Sequence, residues 1–338
     1  MPSDLPSSEK PSLFDINALI CNRNRAAATF SQYDFLKQAA VERLADRLAL
    51  VKRDFSALLD VGCHGGQLIT EIRNQGLYDG RLDCQQLDIA PAFVAKAQQI
   101  APASLTQLDI LNVNANQFDC AASALFLHWA EDLIGLLTQV RLALQPDGFF
   151  VANLLGGRSL SELRAVLVDA ETAISGGSYP RISPMADIRD LGAVMQRAGF
   201  ALPVIDAELI TVTYPNMFAL MADLKGMGEQ NILTARSRHF SSKKFFMEAA
   251  ERYQDRFSTG DGQIKASFEL ITMTGWSPAA SQPQPLRPGS AQMRLATALE
   301  TTEQDPLGEH SPAGSLPSDN APAIASPSQN KPAQNKSE

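Results

Sequence analysis

The sequence predicts an α/β protein built on a Rossmann-like, mostly parallel sheet, and three observations predict it. A short apolar run at 57–61 leads into the turn Gly62-Cys63-His64-Gly65-Gly66 and then into apolar residues at helical spacing (Leu68, Ile69, Ile72). Strand, tight turn and helix in that order open a nucleotide-binding α/β unit. Strand-like and helix-like segments then alternate to residue 276. The run 118–126 is almost continuously apolar, as expected of a parallel strand buried on both faces.

The glycine turn narrows the class. Glycine brings no Cβ toward a ligand, and the helix that follows offers unpaired N–H groups. A dinucleotide fingerprint G-x-G-x-x-G begun at Gly62 needs glycine at 64 and 67, where the chain has His64 and Gln67. The pattern acid-x-Gly-x-Gly-x-Gly of class I S-adenosylmethionine (SAM) methyltransferases matches at Asp60, Gly62 and Gly66, with His64 in place of the middle glycine. An ordinary αβ turn, its glycines serving packing alone, is the competing explanation.

The remaining elements follow in order. Residues 1–12 are polar and proline-bearing and predict disorder. A short segment, 13–29, carries a basic patch at Arg23 and Arg25. Residues 33–50 form a helical pattern with Phe35, Leu36, Ala39, Ala40, Leu44 and Leu48 on one side; a helix before the first strand is usual in SAM enzymes, where it covers the cofactor. A second strand ends at Asp88, with Ile89 next, and Pro91 suits the first turn of a helix over 92–100. An acid at this strand end accepts hydrogen bonds from ribose hydroxyls. A third strand, 104–108, ends at Asp109 and Ile110, the places where class I methyltransferases receive the adenine amino group and ring. The fourth strand empties into Leu127-His128-Trp129, a helix follows over 133–144, and Gln145-Pro146-Asp147-Gly148 breaks it before a fifth strand at 149–155. Helices are predicted over 159–173, 185–198 and 242–257, and strands over 203–214 and 266–275, the last closing the sheet. Leu224 to Asn231 reads as a glycine-rich turn. From Pro278 onward there is no aromatic residue, and ten of the 20 prolines fall there, so this tail cannot build a core.

Composition excludes several classes. With 338 residues, 45% of them hydrophobic, the chain is long enough for one large domain with an elaborated cap. A net charge of −8 argues against a non-specific nucleic-acid binder. Cys21, Cys63, Cys84 and Cys120 lie far apart, so neither a zinc site nor a disulfide framework is expected. The N-terminal stretch lacks a secretory signal, and no apolar run is long enough to span a membrane, so a soluble cytoplasmic protein is expected.

The strand-end motifs, together with Gly156-Gly157, Glu162-Leu163-Arg164, Ile182-Ser183-Pro184, Asp190-Leu191-Gly192, Tyr214-Pro215, Asp223-Leu224-Lys225-Gly226-Met227-Gly228-Glu229, Gly275-Trp276 and Arg287-Pro288-Gly289-Ser290-Ala291, resemble the methyltransferase-like assembly factor five family of respiratory complex I. The resemblance covers roughly 13–292. It implies a seven-stranded class I SAM-dependent methyltransferase domain over 13–276: a cofactor core at 33–155, a cap at 156–263 and a closing strand at 264–276, with a disordered tail over 277–338. It implies SAM as cofactor, a complex I subunit as protein substrate, and a place at the inner membrane through that partner. Methyl transfer to a protein side chain is the reaction the fold implies, and arginine hydroxylation is the one associated with mitochondrial members. A non-catalytic assembly chaperone and a small-molecule enzyme like the malonyl-carrier-protein methyltransferase are the alternatives.

The expected cofactor residues are Asp60, Gly62, His64, Gly66, Asp88, Ile89, Asp109 and Ile110. His128 follows strand four, where the sheet's C-terminal edge meets substrate, and is the candidate base; a histidine hydrogen-bonded in place is equally compatible. Trp129 lines the pocket or fills the core, and Glu229 pairs with a substrate guanidinium or is a solvated acid. Tyr214 and Arg181 are cap residues placed to face substrate. No metal is predicted.

Overall fold

The computed structural model describes residues 12–283. Seven strands form one sheet: β1 (Ala57–Val61), β2 (Asp83–Asp88), β3 (Ala103–Leu105), β4 (Phe118–Ala124), β5 (Leu144–Leu155), β6 (Ala201–Tyr214) and β7 (Ile264–Trp276). Their order is β3-β2-β1-β4-β5-β7-β6. The pairings from β3 through β5 are parallel, and β7 runs antiparallel between β5 and β6. The last strand thus completes the sheet from within, and β6 takes the edge. This is the sheet of a class I methyltransferase fold, with the reversal of strand order between β1 and β4, where doubly wound sheets place their ligands.

Nine helices are described: α1 (Ile16–Ala27), α2 (Phe35–Leu50), α3 (Gln67–Asn74), α4 (Pro91–Ala97), α5 (Leu133–Ala143), α6 (Ser161–Ser175), α7 (Ile188–Arg197), α8 (Met217–Met227) and α9 (Lys243–Phe257). Alternate residues of β4 and β5 enter different cores. Ala121, Phe150, Ala152 and Leu154 pack with Leu136, Leu137 and Val140 of α5 and Leu191 of α7. Cys120, Ala122, Phe149 and Val151 pack with Leu44 and Leu48 of α2 and Leu68 and Ile72 of α3. A period of two with both faces buried explains why these strands read as continuous apolar runs. A third core joins α6, α8 and α9 to β7 through Leu163, Leu220, Phe245 and Phe268.

Three segments differ from the sequence expectation. Residues 16–27 are a regular helix, started by Asp15 accepting from the Ala18 N–H at 3.1 Å. Asp147 adopts φ +64°, and β5 begins at Leu144 instead of breaking at 145–148. The stretch expected as a glycine-rich turn is helical through Met227, and only Gly228, at φ +84°, ends it. The tail from 284, with Arg287 to Ala291, and residues 1–11 lie outside the described residues.

Gly62 has φ +78°, and a Cβ there would fall inside the Phe126 ring. Both strain and overlap therefore oppose any side chain. Gly62→Ala is expected to lower stability by about 2–4 kcal/mol, as measured by urea denaturation.

Candidate active site

The C-terminal ends of β1 and β2 bring together five ionisable side chains out of reach of solvent: Arg23, Lys37, Asp60, His64 and Asp88. Asp88 is fully buried and uses both oxygens: Oδ1 accepts from the Ala90 N–H at 2.9 Å, and Oδ2 accepts from the His64 N–H and from Arg23 Nη2, each at 3.0 Å. Arg23 comes from α1, where Leu19, Arg23, Ala26 and Ala27 form the buried face. The basic patch expected at Arg23 and Arg25 is therefore split: Arg23 is 1% exposed and Arg25 faces solvent. A helix places residues four apart on one side, and this carries Arg23 inward with Leu19.

His64 sits between the two basic residues. Its φ of +50° is a left-handed conformation, and its ring stacks on Phe30 with centroids 5.3 Å apart. Nε2 lies 2.9 Å from Arg23 Nη2, and Nδ1 lies 3.1 Å from both Gly62 O and Lys37 Nζ. Guanidinium only donates, so Nε2 accepts and Nδ1 carries the hydrogen, which it donates to Gly62 O. Burial and the neighbouring Arg23 and Lys37 charges hold the imidazole well below its ordinary pKa, so it is neutral. The histidine in the middle-glycine position is thus a structural part of the turn.

Lys37 projects from the buried face of α2, among Leu36, Ala40, Val41 and Leu44. Its ammonium donates to Gly62 O at 3.2 Å and to Ala124 O at 2.7 Å, the carbonyls at the ends of β1 and β4. Asp60 is wholly buried nearby, and neither of its carboxylate oxygens has a hydrogen-bond partner among the described residues. Arg23 Nε and Nη1 are likewise buried and unpartnered. Gly66, at φ +85°, turns the chain into α3, with Gln86 Oε1 and Ile100 where a Cβ would lie.

The third strand is shorter than the expected 104–108: β3 ends at Leu105, and Asp109 lies in the loop that follows. Asp109 Oδ1 accepts from the backbone N–H groups of Glu131 and Asp132 at 3.1 and 3.4 Å, and burial raises its pKa. It pins the 131–132 turn to the loop after β3. Ile89 is buried, whereas Ile110 is 56% exposed.

His128 and Glu229, 101 residues apart, meet at 3.3 Å between Nε2 and Oε2, and Trp129 Nε1 donates to Glu229 Oε1 at 3.4 Å. The His128 side chain is nearly fully buried, and its Nδ1 has no partner among the described residues. Gly228 fixes Glu229: in the left-handed conformation it lets the Glu229 N–H reach back to Leu224 O at 2.9 Å. Gly226 stays helical, with the Tyr33 ring against it.

Glu229 also stands at a junction. A cavity of about 450 Å³ opens beside it, walled by Leu163, Leu167, Met221, Phe246 and Phe268. Arg181 is on its lining, paired with Glu171 at 2.7 Å and lying 4.2 Å over the Phe245 ring. A second space of about 20 Å³, between His64, Lys37 and His128, shares Leu36, Leu155, Met227 and Glu229 with the first.

The sequence motifs missed Arg23 and Lys37. The available signal was a basic residue inside each helix's apolar stripe: Leu19-Arg23-Ala27, and Lys37-Val41-Leu44. Of the cysteines, Cys63 and Cys120 are buried with thiols pushed far up, Cys84 is pushed up to about 11, and Cys21 is exposed on α1. His239 is exposed on the 237–242 stretch, and among the described residues no group of three His, Cys, Asp or Glu side chains is placed to hold a metal ion.

Burial moves Asp60 up to about 7, opposed by Lys37, and moves Lys37 down to about 8, opposed by Asp60. Between 3.8 and about 7 the folded chain holds a proton on Asp60 that the unfolded chain has released, so stability falls as pH rises. Between about 8 and 10.5 the unfolded chain holds a proton on Lys37 that the folded chain has lost, so stability rises with pH. The pair should place a stability minimum near pH 7 to 8. Asp60→Asn should abolish the fall on the acid side. Urea denaturation of both proteins across this range checks it, and an unchanged acid-side slope would refute the assignment.

Comparison with known proteins agrees with this architecture. Residues 59–152 match the family model described as "Methyltransferase domain". The chain is 36% identical over 295 residues to the mouse (Mus musculus) protein named "Arginine-hydroxylase NDUFAF5, mitochondrial", covering 86% of this chain and 84% of that protein. The human (Homo sapiens) protein of that name is 34% identical over 284 residues, covering 83% and 81%. A malonyl-[acyl-carrier protein] O-methyltransferase from Methylovorus sp. is 29% identical over 271 residues, covering 76% and 87%. With 36% identity to the mouse protein over 86% of this chain and 84% of that protein, the chain belongs to the NDUFAF5 family.

Proposed function

We propose that the protein modifies an arginine side chain of a protein substrate, with Glu229 receiving the guanidinium. The observation that carries this reading is the position of Glu229, which lines both the apolar 450 Å³ cavity and the small space beside Lys37, His64 and His128. Its partners there, His128 Nε2 and Trp129 Nε1, are 3.3 and 3.4 Å away, long enough to yield to a stronger donor. A guanidinium presents a planar fork of donors that suits a carboxylate, and the apolar walls suit the arginine stem. Hydroxylation, a two-electron oxidation that takes its oxygen from dioxygen with a reduced co-substrate as electron donor, is supported by the name of the relatives at 34–36% identity. A complex I subunit as substrate is supported by the family resemblance, and an encounter at the inner membrane would follow from that partner. No described helix is long and apolar enough to cross a membrane.

SAM is the cofactor that the donor set fits. Asp88 at the end of β2 suits ribose hydroxyls, and the unpartnered oxygens of Asp60 suit an ammonium group. When bound, SAM supplies an electrophilic methyl group. That fit favours a second reading of the reaction, methyl transfer to the same arginine. For methyl transfer His128, 3.3 Å from Glu229 Oε2, is the candidate base for the guanidinium proton.

Candidate complex I subunits co-expressed with the protein should carry a modified arginine in peptide mass spectra. A gain of one oxygen means hydroxylation, and a gain of one CH2 unit means methyl transfer. Arginines unmodified in the presence of wild-type protein would overturn the reading and favour a chaperone. Glu229→Gln should cut modification about 100-fold, because it leaves the guanidinium without its charge partner.

A further inference from the structure

The basic residues Arg23 and Lys37 are placed as the ligands of an anion, although neither belongs to a strand-end motif. Three observations point this way. First, Arg23 is 1% exposed, yet two of its three guanidinium nitrogens, Nε and Nη1, have no partner among the described residues. Burying such donors unmet is costly unless a ligand meets them. Second, Arg23 Nη2 and Lys37 Nζ lie at 2.9 and 3.1 Å from the two nitrogens of one imidazole, so two cationic side chains converge across a single ring. Asp88 offsets one charge, and Asp60, pushed up to about 7 by burial, offsets the other only in part near neutral pH. The cluster therefore has room for a further negative charge. Third, each cation occupies a position another group would use. Arg23 holds Asp88, the ribose acceptor of the cofactor reading, and Lys37 holds the Gly62 and Ala124 carbonyls, acceptors suited to an ammonium. Lys37 and His64 line a space of about 20 Å³, too small for a nucleoside unless Lys37 changes partner.

We propose that Arg23 and Lys37 are the carboxylate-recognition pair of this site, turning from Asp88 and the strand-end carbonyls to the carboxylate of a ligand's amino-acid end. The inference rests on the cofactor reading above and deepens it. Asp88 and the two carbonyls are released to the ligand's hydroxyl and ammonium groups by the same exchange. His64, neutral and clamped by Phe30, keeps its place between the two basic residues and spaces them for a two-oxygen ligand. No bond is made or broken in this step.

The test compares SAM with decarboxylated SAM, which lacks only the carboxylate, by calorimetric titration of the full chain. Wild type should bind SAM about 30-fold more tightly than the decarboxylated compound, the range of a charge-assisted contact. Arg23→Met and Lys37→Met should each lose most of that preference while still binding decarboxylated SAM, and Arg23→Lys should restore part of it. Circular dichroism identifies any variant that fails to fold; Arg23→Lys, which keeps the charge opposite Asp88, then carries the comparison. Equal affinity of wild type for the two ligands would overturn the carboxylate assignment and leave the cofactor reading standing. Tighter SAM binding by Arg23→Met would also overturn it, making Arg23 an obstacle. Binding of neither ligand by wild type would overturn the cofactor reading itself and the inference with it.

Discussion

The ion pair between Arg23 and Asp88, 3.0 Å long with both side chains out of water, ties the N-terminal helix to the sheet. Removing two charges from water costs several kcal/mol for each, and their attraction offsets this only when other hydrogen bonds complete the site. Asp88 meets that condition through the His64 and Ala90 N–H groups. Arg23 does not, since two of its nitrogens are unmatched. The pair therefore adds little net stability while making the loss of either partner severe. What it secures is geometry: the end of β2, the glycine turn and α1 are held in one arrangement around a single carboxylate.

That arrangement extends to the cap. The chain just before α1 is attached to the segment after Glu229: the Asp15 N–H donates to Ile232 O at 2.8 Å, Asp15 pairs with Arg236 at 2.7 Å, and Phe14 bridges to Leu233. Phe14 also packs edge-on against Trp129, 5.4 Å between centroids, and its N–H donates to Glu131 at 2.8 Å. The two halves of the candidate site are therefore mechanically joined. A displacement of the 229–236 segment pulls on the helix that carries Arg23, and so on the environment of Asp88.

The sheet was legible from the sequence because its physics is local. A parallel strand buried on both faces needs an apolar run, and 57–61, 118–126 and 149–155 supply it. The acids at strand ends were legible because a charge at such an end has only the sheet's edge to occupy; Asp60 and Asp88 stand there, whereas β3 stops at Leu105 and leaves Asp109 in the loop after it. The contacts of those acids were not legible. Asp88 meets an arginine 65 residues earlier, Glu229 meets a histidine 101 residues earlier, and Asp109 pins a turn. Each is a long-range pairing to which neither propensity nor periodicity is sensitive. The nature of Gly62 was hidden for the same reason, since it is the Phe126 ring, 64 residues on, that forbids a side chain. Arg23 and Lys37 were obscured by their type, since basic residues are mostly exposed, although their spacing placed them in apolar stripes.

The distribution of sulfur has a practical consequence. Cys63, Cys84 and Cys120 are buried with thiols too weakly acidic to form thiolate near neutrality, which leaves Cys21 as the exposed one. It lies on α1, two residues before Arg23. The native chain thus carries one addressable attachment point for a fluorophore or spin label, on the helix whose movement would accompany any exchange of partners at Asp88. The protein is its own labelled variant, and α1 can be followed in solution without altering a residue.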